Sequence, residues 1–268
     1  MRDNSKKSRW RHPGVAGMAA AVALLTAAPA AAQRSPETTG KGCAIEHATT
    51  GERGQPTAEI TTDQMEAAVA QVREGVLVFD ARPYEEYAMS HIPGAVDVAP
   101  AASDVGEIGK LAHGNVDAPI VLYGDGPFCG QSKRIAGDLR NAGYTHVVRY
   151  QLGLPVWRAL GHPTQAEGDA IRRTLEMDRT AVVIDAREPA AFGKGTLPGA
   201  RNVRFPEVAQ AKDDGRLPVD HNTRIFVVGK NGPEALAVAQ EIARNAFQNV
   251  AFFAGPVDTL MAMGSAPR

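Results

Sequence analysis

The chain has 268 residues, of which 44% are hydrophobic and 22% charged, and its formal charge is −1. That length and apolar fraction suit one large or two small globular domains. The charge balance lacks the basic footprint that nucleic acid or an anionic membrane surface requires.

At the start, Arg2, Lys6, Lys7, Arg9 and Arg11 precede a charge-free, Ala-rich run over 14–28 and then Pro29-Ala30-Ala31-Ala32-Gln33. A basic region, an apolar region and small residues at a cleavage site make a secretory signal peptide over 1–32, cut after Ala32. The mature protein is expected in the periplasm or secreted, with a formal charge of −5 and no membrane anchor. Both cysteines, Cys43 and Cys129, stay in the mature chain, in a compartment where they could pair as a disulfide. Residues 33–57, rich in Gly, Thr and Glu, read as a linker or loosely attached tail. Cys43 and His47 alone do not make a metal site, and the other histidines lack ligand spacing, so no metal and no cofactor is expected.

From Ile60 the chain alternates. Thr61 and Gln64 form a capping-box pattern ahead of Met65, Ala68 and Val72, which predicts a helix. Val76-Leu77-Val78-Phe79 is a short, continuous apolar run suited to a strand buried on both faces, and it ends in Asp80-Ala81-Arg82. After the turn His91-Ile92-Pro93-Gly94-Ala95 come a strand at Ile120–Tyr123, a helix from Ser132, a strand at His146–Tyr150 and a helical stretch from Pro155 to Gly161. Strands alternating with helices predict an α/β fold, a small parallel sheet flanked by helices.

The same order then recurs. Asp185, Arg187, Pro198, Gly199 and Gly229 each lie 105 residues after Asp80, Arg82, Pro93, Gly94 and Gly124, and a register held over about 45 positions marks a duplicated domain. The domains are placed at 58–163 and 166–268, with a boundary near Pro163 and a second capping box at Thr164 and Glu167.

Between the strand at Ile120–Tyr123 and the following helix lies Gly124-Asp125-Gly126-Pro127-Phe128-Cys129-Gly130-Gln131-Ser132. A strand that breaks into a Gly-rich loop and enters a helix aims several backbone N–H groups at one spot, which binds an anion or holds a thiolate. Gly124, Gly126 and Gly130 are free to take positive φ, Ser132 is a candidate helix cap, and Lys133 and Arg134 add positive charge to the first turn. The equivalent second loop, Gly229-Lys230-Asn231-Gly232, is two residues shorter.

Asp-x-Arg at a strand end, the His-Ile-Pro-Gly-Ala turn, the Tyr-loop-helix segment, Ala142-Gly143-Tyr144 and Leu152-Gly153 with Trp157 together resemble the rhodanese family across both halves. The resemblance implies two tandem rhodanese-like domains. In that family a cysteine at the first position of the loop takes a sulfane sulfur from a donor such as thiosulfate and passes it to a nucleophile. Tyr123, Gly126, Pro127, Cys129 and Ser132 match one variant of the family's loop pattern, but Gly124 and Gly229 stand where the catalytic cysteines would be.

Two readings follow. The one favoured by a double loss of cysteine is a catalytically degenerate scaffold whose loops bind a small anion or sulfur compound, a peptide or a protein partner. The other is a sulfurtransferase or thiol-redox enzyme that uses Cys129, beside a helix N-terminus, as a displaced nucleophile. Asp80/Arg82 and Asp185/Arg187 read as pairs that fix their neighbouring loops. His91 has Thr196 as its counterpart, which argues against a shared acid–base role.

Overall fold

Four consecutive apolar residues offer no polar face to water, so Ile120–Tyr123 folds as a strand covered on both sides, with every residue buried. In a computed structural model of the chain, which describes residues 45–98 and 104–264, this strand is the centre of a five-stranded parallel sheet. The expected signal peptide and Cys43 lie outside the described residues. All described residues belong to one compact unit, and no helix among them is long and apolar enough to cross a membrane.

The first domain runs β1 (Ala58–Glu59), α1 (Thr62–Ala70), β2 (Leu77–Asp80), α2 (Tyr84–Met89), β3 (Val96–Asp97), α3 (Asp104–Leu111), β4 (Ile120–Tyr123), α4 (Gly130–Asn141), β5 (Val147–Tyr150) and α5 (Gly153–Ala159). The second repeats the order with β6 (Thr164–Ala166), α6 (Gly168–Met177), β7 (Val182–Asp185), α7 (Pro189–Phe192), β8 (Arg201–Asn202), α8 (Val208–Asp213), β9 (Ile225–Gly229), α9 (Gly232–Arg244), β10 (Val250–Pro256) and α10 (Val257–Gly264). The sheets have matching orders, β1-β5-β4-β2-β3 and β6-β10-β9-β7-β8, with parallel pairing throughout. Two tandem α/β domains are therefore present. Because strands of a parallel sheet share one direction, the loops after β4 and β9 leave the carboxyl ends of their sheets, where open α/β sheets place ligand sites.

Local details differ from expectation in three places. The capping box at Thr61 forms, with Gln64 N–H donating to Thr61 Oγ1 and Thr61 N–H to Gln64 Oε1. The one expected at Thr164 does not: Thr164 is taken into β6, its hydroxyl donates to the Val250 carbonyl at 3.1 Å, and Glu167 precedes α6 without a side-chain cap bond. Helix α4 begins at Gly130 with Cys129 as its N-cap residue, so Ser132 lies inside the first turn rather than capping it. Residues 45–57, read as a loose tail, are tied to the first domain: Thr50 donates to Glu59, Lys133 to Glu52, Gln151 to Glu52 and Arg149 to Gln55.

The domains join through backbone. His91 and Gln165 exchange N–H···O bonds of 2.9 and 2.8 Å, and Glu167 N–H donates to the Ala88 carbonyl. His91 is fully buried and stacked on Tyr87, and its Nδ1 donates to the Tyr87 carbonyl at 2.9 Å. Nε2 is buried without a partner, 3.9 Å from Glu167. Burial holds the imidazole down at about 4. A histidine that resists its proton only when folded destabilises the native state as pH falls from about 6.5 towards 4. The His91 contribution lost over that window is expected to reach roughly 3 kcal/mol. Glu167, whose carboxyl burial raises, acts in the opposite sense. Urea unfolding across pH 4–7 checks this, since His91→Gln is expected to remove the histidine's share of the slope. An unchanged slope would show that His91 does not carry it.

Candidate active site

Asp80 closes β2 and points its carboxylate back at the chain that follows. It accepts from Arg82 N–H at 3.0 Å, Arg82 Nη2 at 2.6 Å and Tyr123 Oη at 2.6 Å, and Tyr123 in turn accepts the Ile92 N–H at 2.9 Å. Arg82 Nη2 also donates to the Ser90 carbonyl at 2.6 Å. Burial draws the Arg82 guanidinium down, and the hydrogen bonds and charge of Asp80 more than reverse it. Burial, then the charge of Asp80, raises the Tyr123 phenol well above its ordinary value. The second domain builds the same pair with a different third member: Arg187 donates to Asp185 through N–H, Nε and Nη2, and Thr196 supplies the hydroxyl at 2.6 Å.

The first loop curls tightly between these groups and α4. Only Gly126 of the three glycines singled out has positive φ, at +106°. The Cys129 N–H folds back onto the Gly126 carbonyl at 3.0 Å, and Gly124 O accepts the Leu154 N–H at 3.1 Å. The chain approaches so closely at Gly153 that a Cβ there would lie 2.3 Å from the Gly126 nitrogen. A Cβ at Gly124 would lie 2.4 Å from Cys129 Sγ and 3.1 Å from its Cβ. The thiol of Cys129 thus fills the space that a side chain at 124 would occupy. That thiol is free and half-buried, and with Arg82, Asp125, Gly130 and Gln131 it lines a cavity of about 370 Å³. Phe128, beside it, is fully exposed.

Behind the loop stands a residue that motif reasoning missed. Arg149, within the apolar run of β5, is 1% exposed. Its Nη2 donates to Ser132 Oγ at 3.1 Å, and its other branch reaches Gln55 of the N-terminal segment. Burial pulls this guanidinium down, against the charges of Glu52, Glu59 and Cys129. Glu52, hydrogen-bonded by Lys133 and then Gln151, is held at about 2. The only signal in the sequence was a charge inside Val147-Val148-Arg149-Tyr150. Arg134 is exposed on α4 and pairs with Asp138 at 3.1 Å. Pro127 is exposed on the loop's outer face.

The second loop is occupied by its own chain. Lys230 N–H donates to Glu234 Oε2 at 2.7 Å, Glu234 N–H donates to Asn231 Oδ1 at 3.0 Å, and Lys230 Nζ lies 3.3 Å from Glu234 Oε1. A Cβ at Gly229 would fall 2.9 Å from Glu234 Oε2, and one at Gly232 would meet the Ala254 carbonyl at 2.6 Å. Cys129 and Glu234 both stand five residues beyond the loop's first glycine, so a thiol fills one loop and a carboxylate the other. Among the described residues no cluster of His, Cys, Asp and Glu could hold a metal.

Two parallel α/β domains, each with an Asp-x-Arg strand end facing a strand-to-helix loop, define a tandem class in which only the first loop carries a thiol. The chain belongs to the rhodanese family: the model for the rhodanese-like domain matches residues 61–160 and 169–258. The chain is 35% identical over 89 residues to the HTH-type transcriptional regulator Rv0324 of Mycobacterium tuberculosis, a match covering 33% of this chain and 37% of that protein. Among solved structures it resembles a thiosulfate sulfurtransferase from Pseudomonas aeruginosa, at 19% identity and a TM-score of 0.33, over 76% of this chain and 42% of that one. It also resembles EanB, at 17% identity and a TM-score of 0.31, over 78% of this chain and 61% of that one. The chain spans less than two thirds of each of these relatives, and likenesses this distant leave the chemistry to the site itself.

Proposed function

We propose that the first domain handles sulfane sulfur through Cys129, that the second domain is a non-catalytic partner, and that the protein acts after export. The observation that carries this reading is the 2.4 Å between Cys129 Sγ and the missing Cβ of Gly124. Cys129 brings a sulfur to the point where a side chain at Gly124 would begin, which supports the displaced-nucleophile reading over loss of function. The Cys129 thiolate attacks the outer sulfur of a donor such as thiosulfate; a new S–S bond forms, the donor's S–S bond breaks, and sulfite leaves with the electron pair. An acceptor nucleophile then takes the outer sulfur of the persulfide and returns the thiolate. The amino end of the 12-residue helix α4, beside Cys129, and the buried Arg149 behind the loop supply the positive potential that draws in an anionic donor such as thiosulfate. The exposed Phe128 at the cavity mouth supports a second element, a protein as acceptor or partner.

Mature protein incubated with thiosulfate is expected to gain one sulfur atom on Cys129 by mass spectrometry, and Cys129→Ser to gain none. Unmodified Cys129 after excess donor would return the protein to the binding-scaffold reading. Export is supported by the basic and Ala-rich N-terminal stretch, and a mature amino terminus at Gln33 is its test.

A further inference from the structure

Between the two domains lies a second cavity, of about 310 Å³, which Cys129 does not line. Its walls carry three guanidinium groups, Arg82 and Arg158 from the first domain and Arg224 from the second. Arg82 is committed to Asp80. Neither of the other two has a carboxylate within ion-pair distance among the described residues, although Asp125 acts on Arg158 and Asp178 on Arg224 from further off. Arg158 donates to Ser90 Oγ, yet its Nε is buried with nothing to bond. Arg224, just before β9, makes no side-chain hydrogen bond and no ion pair within 4 Å to any described residue. The carboxylates that line the cavity are Glu85 and Glu86, both exposed. Glu86 faces Arg82, not Arg158 or Arg224, at 3.7 Å, and burial, then Asp125, raise its pKa. Burial, then the like charges of Arg82 and Arg224, pull Arg158 down. Like charges gathered in a half-open cavity repel one another, and an anion that joins them offsets that repulsion.

We propose that this interdomain cavity binds a tetrahedral oxyanion of the sulfate and phosphate class, held by Arg158 and Arg224 and bridging the two domains. Guanidinium forks match the oxygens of such an anion two at a time. An anion touching a residue of each domain would tighten the junction already made by His91 and Gln165. The site does not depend on turnover at Cys129.

The test uses the full mature chain carrying Cys129→Ala, which removes the thiol and its reactions. Isothermal titration and thermal melting are run with sulfate, phosphate and chloride at matched ionic strength. Sulfate is expected to bind and raise the melting temperature where chloride does not. A response to sulfate with none to phosphate would mark a sulfur oxyanion as the ligand, and equal responses a site open to phosphate as well. Arg224→Gln, which breaks no bond in the fold, is expected to weaken binding by about tenfold or more. It should also melt no lower than its parent in anion-free buffer, because it relieves repulsion. Arg158→Lys, which keeps the charge and loses the fork, is expected to weaken binding less than Arg224→Gln. Equal responses to sulfate, phosphate and chloride, or undiminished binding in Arg224→Gln, would overturn the proposal.

Discussion

Gly124→Ala is expected to lower persulfide formation at Cys129 by about a hundredfold or more, since misplacing a reacting atom by an ångström is enough for such a loss. The added methyl would sit 2.4 Å from the sulfur, a separation that an unbonded carbon and sulfur do not keep. Cys129 has a single side-chain torsion, so its thiol can swing away from the methyl, but only by leaving the place it holds. Its Cβ, 3.1 Å from the same point, cannot move without the loop. Overpacking of this kind costs roughly 1–3 kcal/mol, and removing the obstacle should recover it. Gly124→Ala combined with Cys129→Gly is therefore expected to be more stable than Gly124→Ala alone. The exchange variant, Gly124→Cys with Cys129→Gly, should form a persulfide again. Stability comes from urea unfolding, and sulfur loading from mass spectrometry after thiosulfate treatment. A Gly124→Ala protein that loads as the wild type does would mean that the sulfur's position is irrelevant to the chemistry.

Asp80→Ala is expected to destabilise the first domain by about 3–5 kcal/mol, the range for a buried charge stripped of its partner. Arg82 would keep its bond to the Ser90 carbonyl and its longer pairings with Glu86 and Asp125, and lose its hydrogen bonds to Asp80. Tyr123 would lose the acceptor of its 2.6 Å hydrogen bond. Tyr123→Phe removes only a hydroxyl and should cost about 1 kcal/mol. Asp185→Ala should do to the second domain what Asp80→Ala does to the first, because Arg187 and Thr196 are left in the same condition. Unfolding followed separately in each domain reads these effects. A loss under about 1 kcal/mol for Asp80→Ala would mean that water or Asp125 replaces the missing carboxylate.

The repeat made much of this fold legible, because a duplicated register carries geometry with it. Arg82 donates to the carbonyl of Ser90 and Arg187 to that of Gly195, two acceptors that are again 105 residues apart. Local signals held where nothing distant competed with them, as at the Thr61 capping box. Thr164 carried a similar signal, but pairing with β10, more than 80 residues away, drew it into a strand. The candidate site was half visible. A thiol in a Gly-rich loop could be read directly, whereas its return to the space beside Gly124 depends on one positive φ and a turn-closing hydrogen bond. Arg149 was out of reach for a related reason: its partner Gln55 lies 94 positions away, in a segment whose composition resembled a linker.

The carboxylate of Glu234 in the second loop has a consequence for duplication itself. A group tethered four residues from the amide it bonds competes with free anions as a solute of at least millimolar effective concentration. A mobile anion must compete with that tethered carboxylate for the loop amide, so under the proposed function the second domain is expected to bind anions more weakly than the first. On that reading, selection on the second copy would fall on its shape rather than on its chemistry, leaving the first copy to respond to whatever arrives.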